Sequence, residues 1–184
     1  MVCAMVLLCA LIALAGCTPD PPPRGLEGGA RLSFGEATWE AQGQTIALHS
    51  NGYVEEDGEL LWVLDRVGRV VDDDFHPVAL LSGEGHLVGT DDVFLGWVGL
   101  HNAAPPWSGL AWLRVGSSGA VLLFGDGGQR VSGGRWTGCQ GEVQRACTLI
   151  THLFALASVR RQTYWVGPGM MYNPMFGPYW YYPY

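Results

Sequence analysis

The residues of this chain that could do chemistry are three runs of acidic side chains. They read Glu55-Glu56-Asp57-Gly58-Glu59, Asp72-Asp73-Asp74-Phe75-His76 and Thr90-Asp91-Asp92. Carboxylate oxygens are the ligands that a hard cation such as Ca²⁺ prefers, but no run has the alternating acids closing on a Glu that define an EF-hand loop. We therefore expect solvated loop acids and no metal site. A divalent-cation-binding module that uses these acids is kept as an alternative.

Other patterns that resemble catalytic motifs fail in their context. Gly116-Ser-Ser-Gly-Ala is one residue short of a nucleophile elbow, and Gly125-Asp-Gly-Gly lacks the third glycine of a dinucleotide-binding loop. Four histidines lack the short spacing of zinc ligands, namely His49, His76, His86 and His101. The sequence thus predicts no catalytic residue and no cofactor. A non-enzyme is expected, and a hydrolase that uses the acidic loops is the alternative.

An uncharged apolar leader begins the chain and ends Leu14-Ala15-Gly16-Cys17. It is too short to cross a hydrocarbon core of ~30 Å comfortably as a helix, and it has the length of the apolar region of a signal peptide. Leu-Ala-Gly-Cys resembles the lipobox of bacterial lipoproteins. The resemblance covers the leader alone and implies a signal peptide over residues 1–16 and palmitate-type acylation of Cys17. The leader departs from the pattern because no Lys or Arg stands at its start.

The composition of residues 17–29 predicts a tether between the lipid on Cys17 and a folded domain. Four prolines and three glycines stand in residues 18–29, and a Pro-rich linker is extended, at about 3 Å per residue. In the lipoproteins that the leader resembles, Asp after the acylated Cys favours inner-membrane retention in some bacteria. Thr18 stands here, so the resemblance implies a lipid-anchored protein of the cell envelope at the outer membrane, on either its periplasmic or its surface side.

Residues 30–162 predict one small domain of mainly β structure. Short apolar runs alternate with turn signals such as Ser50-Asn51-Gly52, Ser82-Gly-Glu-Gly85 and Gly116-Ser-Ser-Gly119, and such turns between β-branched or aromatic runs are the strongest local sign of hairpins. The expected fold is an antiparallel β meander, sandwich-like or barrel-like, with one C-terminal α-helix packed on it.

That helix is predicted over residues 142–161. Apolar side chains recur with helical period, at Val143, Ala146, Ile150, Leu153 and Ala157. Polar side chains fill much of the opposite side, namely Gln144, Arg145, Thr148, Thr151 and Ser158. One face is therefore expected to pack against the sheet.

Two of the five cysteines are expected to form a disulfide. Cys3 and Cys9 leave with the leader and Cys17 carries lipid, which leaves Cys139 and Cys147 as an even pair in an exported chain, where disulfides persist. A metal pair or a nucleophile are the alternatives. The spacing is not Cys-x-x-Cys and no histidine lies beside it, so neither is favoured.

Charge and the aromatic tail limit the partners. The formal net charge is −7, which leaves no basic surface for nucleic acid.

Residues 163–184 form an uncharged tail rich in Gly and Pro. Three interpretations of this tail are open: it folds back on the sheet, it binds an envelope protein or a glycan, or it lies at the lipid headgroups, because aromatic rings serve in all three settings. The candidate partner-binding residues are Tyr164, Trp165, Tyr172, Phe176, Tyr179, Trp180, Tyr181 and Tyr182. The sequence therefore predicts a non-catalytic binding or structural accessory of the cell envelope.

Overall fold

The computed structural model describes residues 22, 28–41, 43–125 and 128–163 of the chain. Twelve strands follow one another and pair antiparallel with their neighbours, and the last pairs with the first to close a barrel. The strands are β1 (Ala37–Ala41), β2 (Gln44–Leu48), β3 (Tyr53–Glu56), β4 (Glu59–Leu64), β5 (Arg69–Asp72), β6 (Pro77–Leu81), β7 (His86–Gly89), β8 (Phe94–Val98), β9 (Asn102–Ala104), β10 (Leu113–Val115), β11 (Ala120–Phe124) and β12 (Arg130–Thr137). The predicted antiparallel, mainly β fold is confirmed, and it takes the barrel form.

The strands are short because turn residues stand between them. In β10, Leu113 and Val115 are buried while Arg114 between them is exposed, which is the alternation of a wall with one face towards a core. The predicted turn at residues 50–52 joins β2 to β3, with the Gly52 amide donating to the carbonyl oxygen of His49 (2.9 Å). Local turn chemistry thus sets each hairpin, and the meander follows from repeating it.

One long helix, α1 (Gln144–Thr163), is present in the part of the chain that the structure describes, and it follows the last strand after a 3₁₀ turn at Gly141–Val143. Its side chains contact strands on opposite sides of the barrel: Phe154 packs edge-on against Trp39 of β1 and Trp62 of β4, whereas His152 contacts the carbonyl oxygen of Leu95 in β8. Every residue from Ala146 to Leu153 is buried. The helix therefore packs on the concave face of the sheet, within the barrel.

The polar side of α1 differs from the amphipathic expectation. Gln144, Thr148 and Thr151 are buried, so the strands of the barrel wall surround them instead of water. Each makes a hydrogen bond: Gln144 Nε2 donates to the Val115 carbonyl oxygen (3.0 Å), Thr148 Oγ1 donates to that of Leu100 (2.8 Å), and Thr151 Oγ1 accepts from Trp136 Nε1 (3.0 Å). Burying a polar group without a partner is costly, and these bonds remove that cost.

Closure of the barrel depends on a tryptophan pair. Trp39 of β1 is opposite Trp136 of β12 in the register, and their rings stack with centroids 5.7 Å apart. Trp39 Nε1 also donates to the Gly133 carbonyl oxygen across the seam (2.9 Å). Because Trp136 bonds Thr151 and Trp39 packs against Phe154, the seam and the helix hold each other in place.

The expected disulfide between Cys139 and Cys147 is confirmed. It joins the segment after β12 to the first turn of α1, with the two Cα atoms 6.3 Å apart, and both residues are buried. The bond fixes where the helix begins relative to the last strand, so that α1 starts in line with the inside of the barrel.

Reducing this disulfide should lower the free energy of unfolding by about 2.5 kcal/mol, the chain-entropy value for a loop of this length. Denaturant unfolding with and without reductant measures the effect. The double variant Cys139→Ala with Cys147→Ala is the control, and its unfolding midpoint should not respond to reductant. Equal midpoints for the oxidised and reduced natural chain would contradict the prediction.

Candidate functional site

The up-and-down topology gives the barrel two different ends. Helix α1 begins where β8 and β10 end, since Arg145 Nη2 lies 3.4 Å from the Val98 carbonyl oxygen and Gln144 bonds Val115. We call this end the proximal face; it holds the turns β2–β3, β4–β5, β6–β7, β8–β9 and β10–β11. The opposite end, where α1 leaves the barrel, is the distal face, and it holds the turns β1–β2, β3–β4, β5–β6, β7–β8, β9–β10 and β11–β12.

Packing around α1 loosens towards the distal face. Residues 146–153 are all buried, whereas Phe154, Ala155, Ala157 and Ser158 are only half-buried. The wall therefore fills the space around the first half of the helix and leaves space around the second half.

A cleft of about 330 Å³ lies in that space, between α1 and strands β4, β6, β7 and β8. The wall supplies Trp62, Val78 and Val93, and the helix supplies Leu153, Leu156 and Ala157. A smaller cavity of about 60 Å³ lies on the other side of the helix, against Trp39 and Leu123. The volume and apolar lining of the larger cleft are at the lower end of what small-ligand sites show.

Exposed apolar side chains stand on three successive distal turns, at the same end of the barrel as this cleft, and one of them, Val93, lines it. Phe75 in β5–β6 is 62% exposed, Val93 in β7–β8 is 49% exposed, and Trp107 and Leu110 in β9–β10 are 50% and 79% exposed. We call Phe75, Val93, Trp107 and Leu110 the distal apolar rim. Single exposed apolar residues are common, but several grouped beside an apolar cleft indicate a binding surface.

Phe75 is the member of this rim with an unfavourable backbone. Its φ angle is 64°, a region that glycine or asparagine adopts at little cost and a bulky side chain does not. The turn holds it there, since Asp72 Oδ1 accepts from the His76 amide (2.7 Å) and the Phe75 amide donates to the Asp72 carbonyl oxygen (3.1 Å). Phe75 therefore combines an unfavourable backbone angle with an aromatic side chain that is mostly exposed.

The three acidic runs also lie on the distal face. Each occupies one distal turn or its flanks, β3–β4, β5–β6 or β7–β8, and together they bring eight carboxylates to this end: Glu56, Asp57, Glu59, Asp72, Asp73, Asp74, Asp91 and Asp92.

Several of these carboxylates accept hydrogen bonds from nearby residues. Asp57 Oδ1 accepts from the Thr45 amide (2.9 Å), and Glu56 Oε1 accepts from Gln44 Nε2 (2.8 Å). Among the described residues, no group of three or more His, Cys, Asp or Glu side chains is arranged to hold a metal ion. The acids give the distal face a negative charge and order its turns.

One histidine lies between two carboxylates on the outer wall. His49 Nδ1 bonds Glu36 Oε2 (3.1 Å), and His49 Nε2 lies 3.2 Å from Glu55 Oε2 in an ion-pair contact that is not a hydrogen bond. The contact with Glu55 comes first among the causes that raise the pKa of His49, and Glu36 adds to it. The Ser50 amide, which donates to Glu36 (2.8 Å), is the main cause of the lowered pKa of that carboxyl group. This cluster borders neither cavity.

His152 is a buried polar residue that the sequence analysis missed. It is fully buried in α1; Trp112 Nε1 donates to its Nδ1 (2.9 Å), so Nε2 carries the hydrogen and donates to the Leu95 carbonyl oxygen (2.9 Å). Burial lowers the pKa of His152 to about 4. Both ring nitrogens are occupied, so His152 is a neutral structural link. The available signal was a fifth histidine inside the most apolar stretch of the predicted helix.

Space for His152 depends on Gly96 in β8. A Cβ atom at this position would lie 2.2 Å from the Ala104 carbonyl oxygen and 2.9 Å from His152 Nε2, and the φ angle of Gly96 is 119°, which other residues rarely adopt. The imidazole links this central wall to Trp112, whose ring contacts Trp107 of the distal apolar rim edge-on at 5.7 Å.

Two groups of predicted site residues lie outside the described residues. These are the lipid-attachment residue Cys17 and the tail residues Tyr164, Trp165, Tyr172, Phe176, Tyr179, Trp180, Tyr181 and Tyr182.

Within the described ranges, no helix is long and apolar enough to cross a membrane. No family model, curated protein or solved structure compared with this chain matches it. The fold and the site together describe a helix-filled antiparallel barrel with an apolar cleft at one end.

Acidification should destabilise the protein through His152. Its pKa is about 4 in the folded chain and 6.5 as the ordinary value, so the neutral side chain contributes fully above pH 6.5 and the contribution is lost as the pH falls from 6.5 to 4. The linkage relation gives a loss of about 2 kcal/mol between pH 7 and pH 5.

Denaturant unfolding across this pH range measures the loss. The matched variant is His152→Gln, whose amide keeps one donor and one acceptor but does not titrate. Its stability should fall less between pH 7 and pH 5 than that of the natural chain. Equal losses in the two proteins would show that His152 does not cause the effect.

Proposed function

We propose that this protein is a lipid-anchored, non-catalytic accessory of the bacterial cell envelope that binds a partner at the distal face of its barrel. The distal apolar rim carries this proposal, because four exposed apolar side chains, one of them with an unfavourable backbone angle, stand on the turns of the end that holds the apolar cleft. A surface of this kind is suited to holding another molecule.

The anchor part of the proposal depends on Leu14-Ala15-Gly16-Cys17 and on where the chain joins the barrel. The Ala30 amide donates to the Leu81 carbonyl oxygen (2.8 Å) and the Leu32 amide to that of Arg66 (3.1 Å), and both acceptors lie at the proximal face. A lipid on Cys17 would therefore hold the barrel by its proximal side, at the end of a tether whose ten linker residues, 18–27, extend over about 30 Å. The distal face would point away from the bilayer.

Charge supports the same orientation. The eight carboxylates of the distal turns face away from the tethered end, and an anionic membrane surface repels them. At the proximal face, Arg135 Nη1 bonds the Ser118 carbonyl oxygen (2.9 Å), and the half-buried Arg145 lies at the start of α1, where burial lowers the pKa of its guanidinium. The proximal turns hold two acids, Asp65 and Glu84, against the eight carboxylates of the distal face, and this difference in charge favours a barrel that stands with its distal face outward.

The chain that follows α1 gives the distal face a second means of contact. Its eight candidate partner-binding residues are all aromatic, and aromatic rings serve as anchors at protein interfaces and as stacking surfaces for sugars. An envelope protein or a glycan is the class of partner that this chemistry favours.

The alternative of a hydrolase or a cation-binding module has less support. Its acids lie on the distal turns, but they accept hydrogen bonds from neighbouring backbone amides, as Asp57 and Asp72 do. The one histidine held by two carboxylates, His49, borders neither described cavity. General acid–base work needs such a group within reach of a bound substrate.

Lipid attachment predicts the result of labelling cells with radioactive palmitate. The natural chain should take up label, whereas Cys17→Ser should not, because the proposed acyl chains are attached at Cys17. Cys139→Ser is the matched control and should still be labelled. An unlabelled natural chain, or a labelled Cys17→Ser protein, would contradict the proposed anchor.

If a partner binds the distal face, substitutions at that face should abolish the complex, whereas substitutions at the proximal face should leave the complex intact. Photo-crosslinking in whole cells is applied to Phe75→Asn with Leu110→Asn, and to the proximal control Val67→Asn with Leu100→Asn, whose side chains are 40% and 50% exposed. The distal pair should lose a defined crosslinked species and the control should keep it.

Stability separates this result from misfolding. Asparagine adopts positive φ angles more easily than phenylalanine, so Phe75→Asn should unfold at the same denaturant concentration as the natural chain or at a slightly higher one. A distal variant that folds and still forms the complex would overturn the proposal.

A further inference from the structure

We propose that residues 164–184 fold back in the free protein and place aromatic side chains in the distal cleft of the same barrel. The cleft has a volume of about 330 Å³, and its walls are apolar, with Trp62, Val78 and Val93 on one side and Leu153 and Leu156 on the other. This volume accommodates one or two aromatic rings. The inference concerns the isolated chain, so it holds or fails whether or not the partner proposed above exists.

The position of the chain end is the first argument. Helix α1 ends at Thr163 on the distal face, and Leu156 and Ala157, which line the cleft, precede that end by only six or seven residues. The 21 residues that follow reach about 65 Å when extended. Gly167-Pro168-Gly169 stands a few residues after the helix, and Gly-Pro-Gly is a strong turn signal. The tail therefore starts beside the cleft and carries the means to reverse direction.

Chemical complementarity is the second argument. Residues 164–184 contain nine aromatic side chains and no charged side chain, which suits an apolar cleft. Their six tyrosine hydroxyls and two indole N–H groups are hydrogen-bond donors, and the distal turns around the cleft carry eight carboxylates that accept. An acidic or strongly charged segment would be repelled or would lose hydration there, and this segment is neither.

The chain's own tail is a more favourable occupant of the cleft than a foreign segment or a second copy, because its effective concentration at the cleft is higher. A segment attached by a short linker meets a neighbouring site at a millimolar effective concentration, which a separate molecule in the envelope has to exceed.

The reactivity of a cysteine in the cleft tests this proposal. Val93→Cys places a thiol at the cleft, and its alkylation rate is compared in the full-length protein and in the protein ending at Thr163, with the labelled peptide quantified by mass spectrometry. The full-length protein should react about tenfold more slowly, as expected if the covered form outweighs the open one by ten to one. Leu100→Cys, at the proximal face and equally exposed in its natural form, should react at the same rate in both. Equal rates for Val93→Cys in both proteins would overturn the proposal.

A second measurement uses only the full-length chain and does not depend on the shortened protein folding. A photo-reactive amino acid replaces Val93 in an equal mixture of ¹⁵N-labelled and unlabelled purified protein. The expected products join residue 93 to a peptide of residues 164–184 within one isotope class. Products that mix the two classes would assign the cleft to a second copy, and the absence of any tail product would remove the tail from the cleft; either result overturns the proposal. Because no partner is present, failure here leaves the cellular crosslinking test of the distal rim unaffected.

Discussion

The lumen of the twelve-stranded barrel has to be filled, and helix α1 is the element that fills it. Eight strands leave an interior that wall side chains can occupy, and a wider barrel needs something else inside. An α-helix with its side chains is about 10–12 Å across, and α1 is buried on every side from Ala146 to Leu153. The hydrogen bonds of Gln144, Thr148, Thr151 and His152 to the wall follow from this position, because each polar group that entered the lumen had to find a partner there. The disulfide at Cys139 and Cys147 then fixes where the helix enters.

A filled barrel leaves its ends as the places for binding. The inner wall is occupied by packing against α1, and the N-terminal segment crosses the proximal face through the bonds of Ala30 and Leu32. The distal face combines the cleft, the exposed apolar rim and the acidic turns, and the helix delivers the rest of the chain to the same place. The same geometry that stabilises the core therefore also brings the apolar cleft, the acidic turns and the start of the tail to one end.

Local features of this structure could be predicted from the sequence, and non-local ones could not. Hairpins at turns such as residues 50–52, the helix within two residues of its bounds, and the disulfide all depend on neighbouring residues. The pairing of Trp39 with Trp136, which closes the barrel, joins residues 97 positions apart, and no periodicity reports such a contact. The periodicity of α1 suggested one apolar and one polar face, because a pattern cannot distinguish water from a wall that offers carbonyl oxygens. For the same reason His152 was missed, and the three acidic runs, separate in sequence, could not be assigned to one face.

The placement of the core helix at the end of the domain has a consequence for biosynthesis. Strands β1 to β12 emerge first from the ribosome, and their buried apolar side chains pack fully only when α1 follows, since residues from Ala146 onward belong to the same core. The closing pair Trp39 and Trp136 is likewise incomplete until both its helix contacts, Phe154 and Thr151, have been made. The barrel therefore reaches its closed and packed form only after nearly the whole chain has been synthesised, although each of its hairpins joins neighbouring strands.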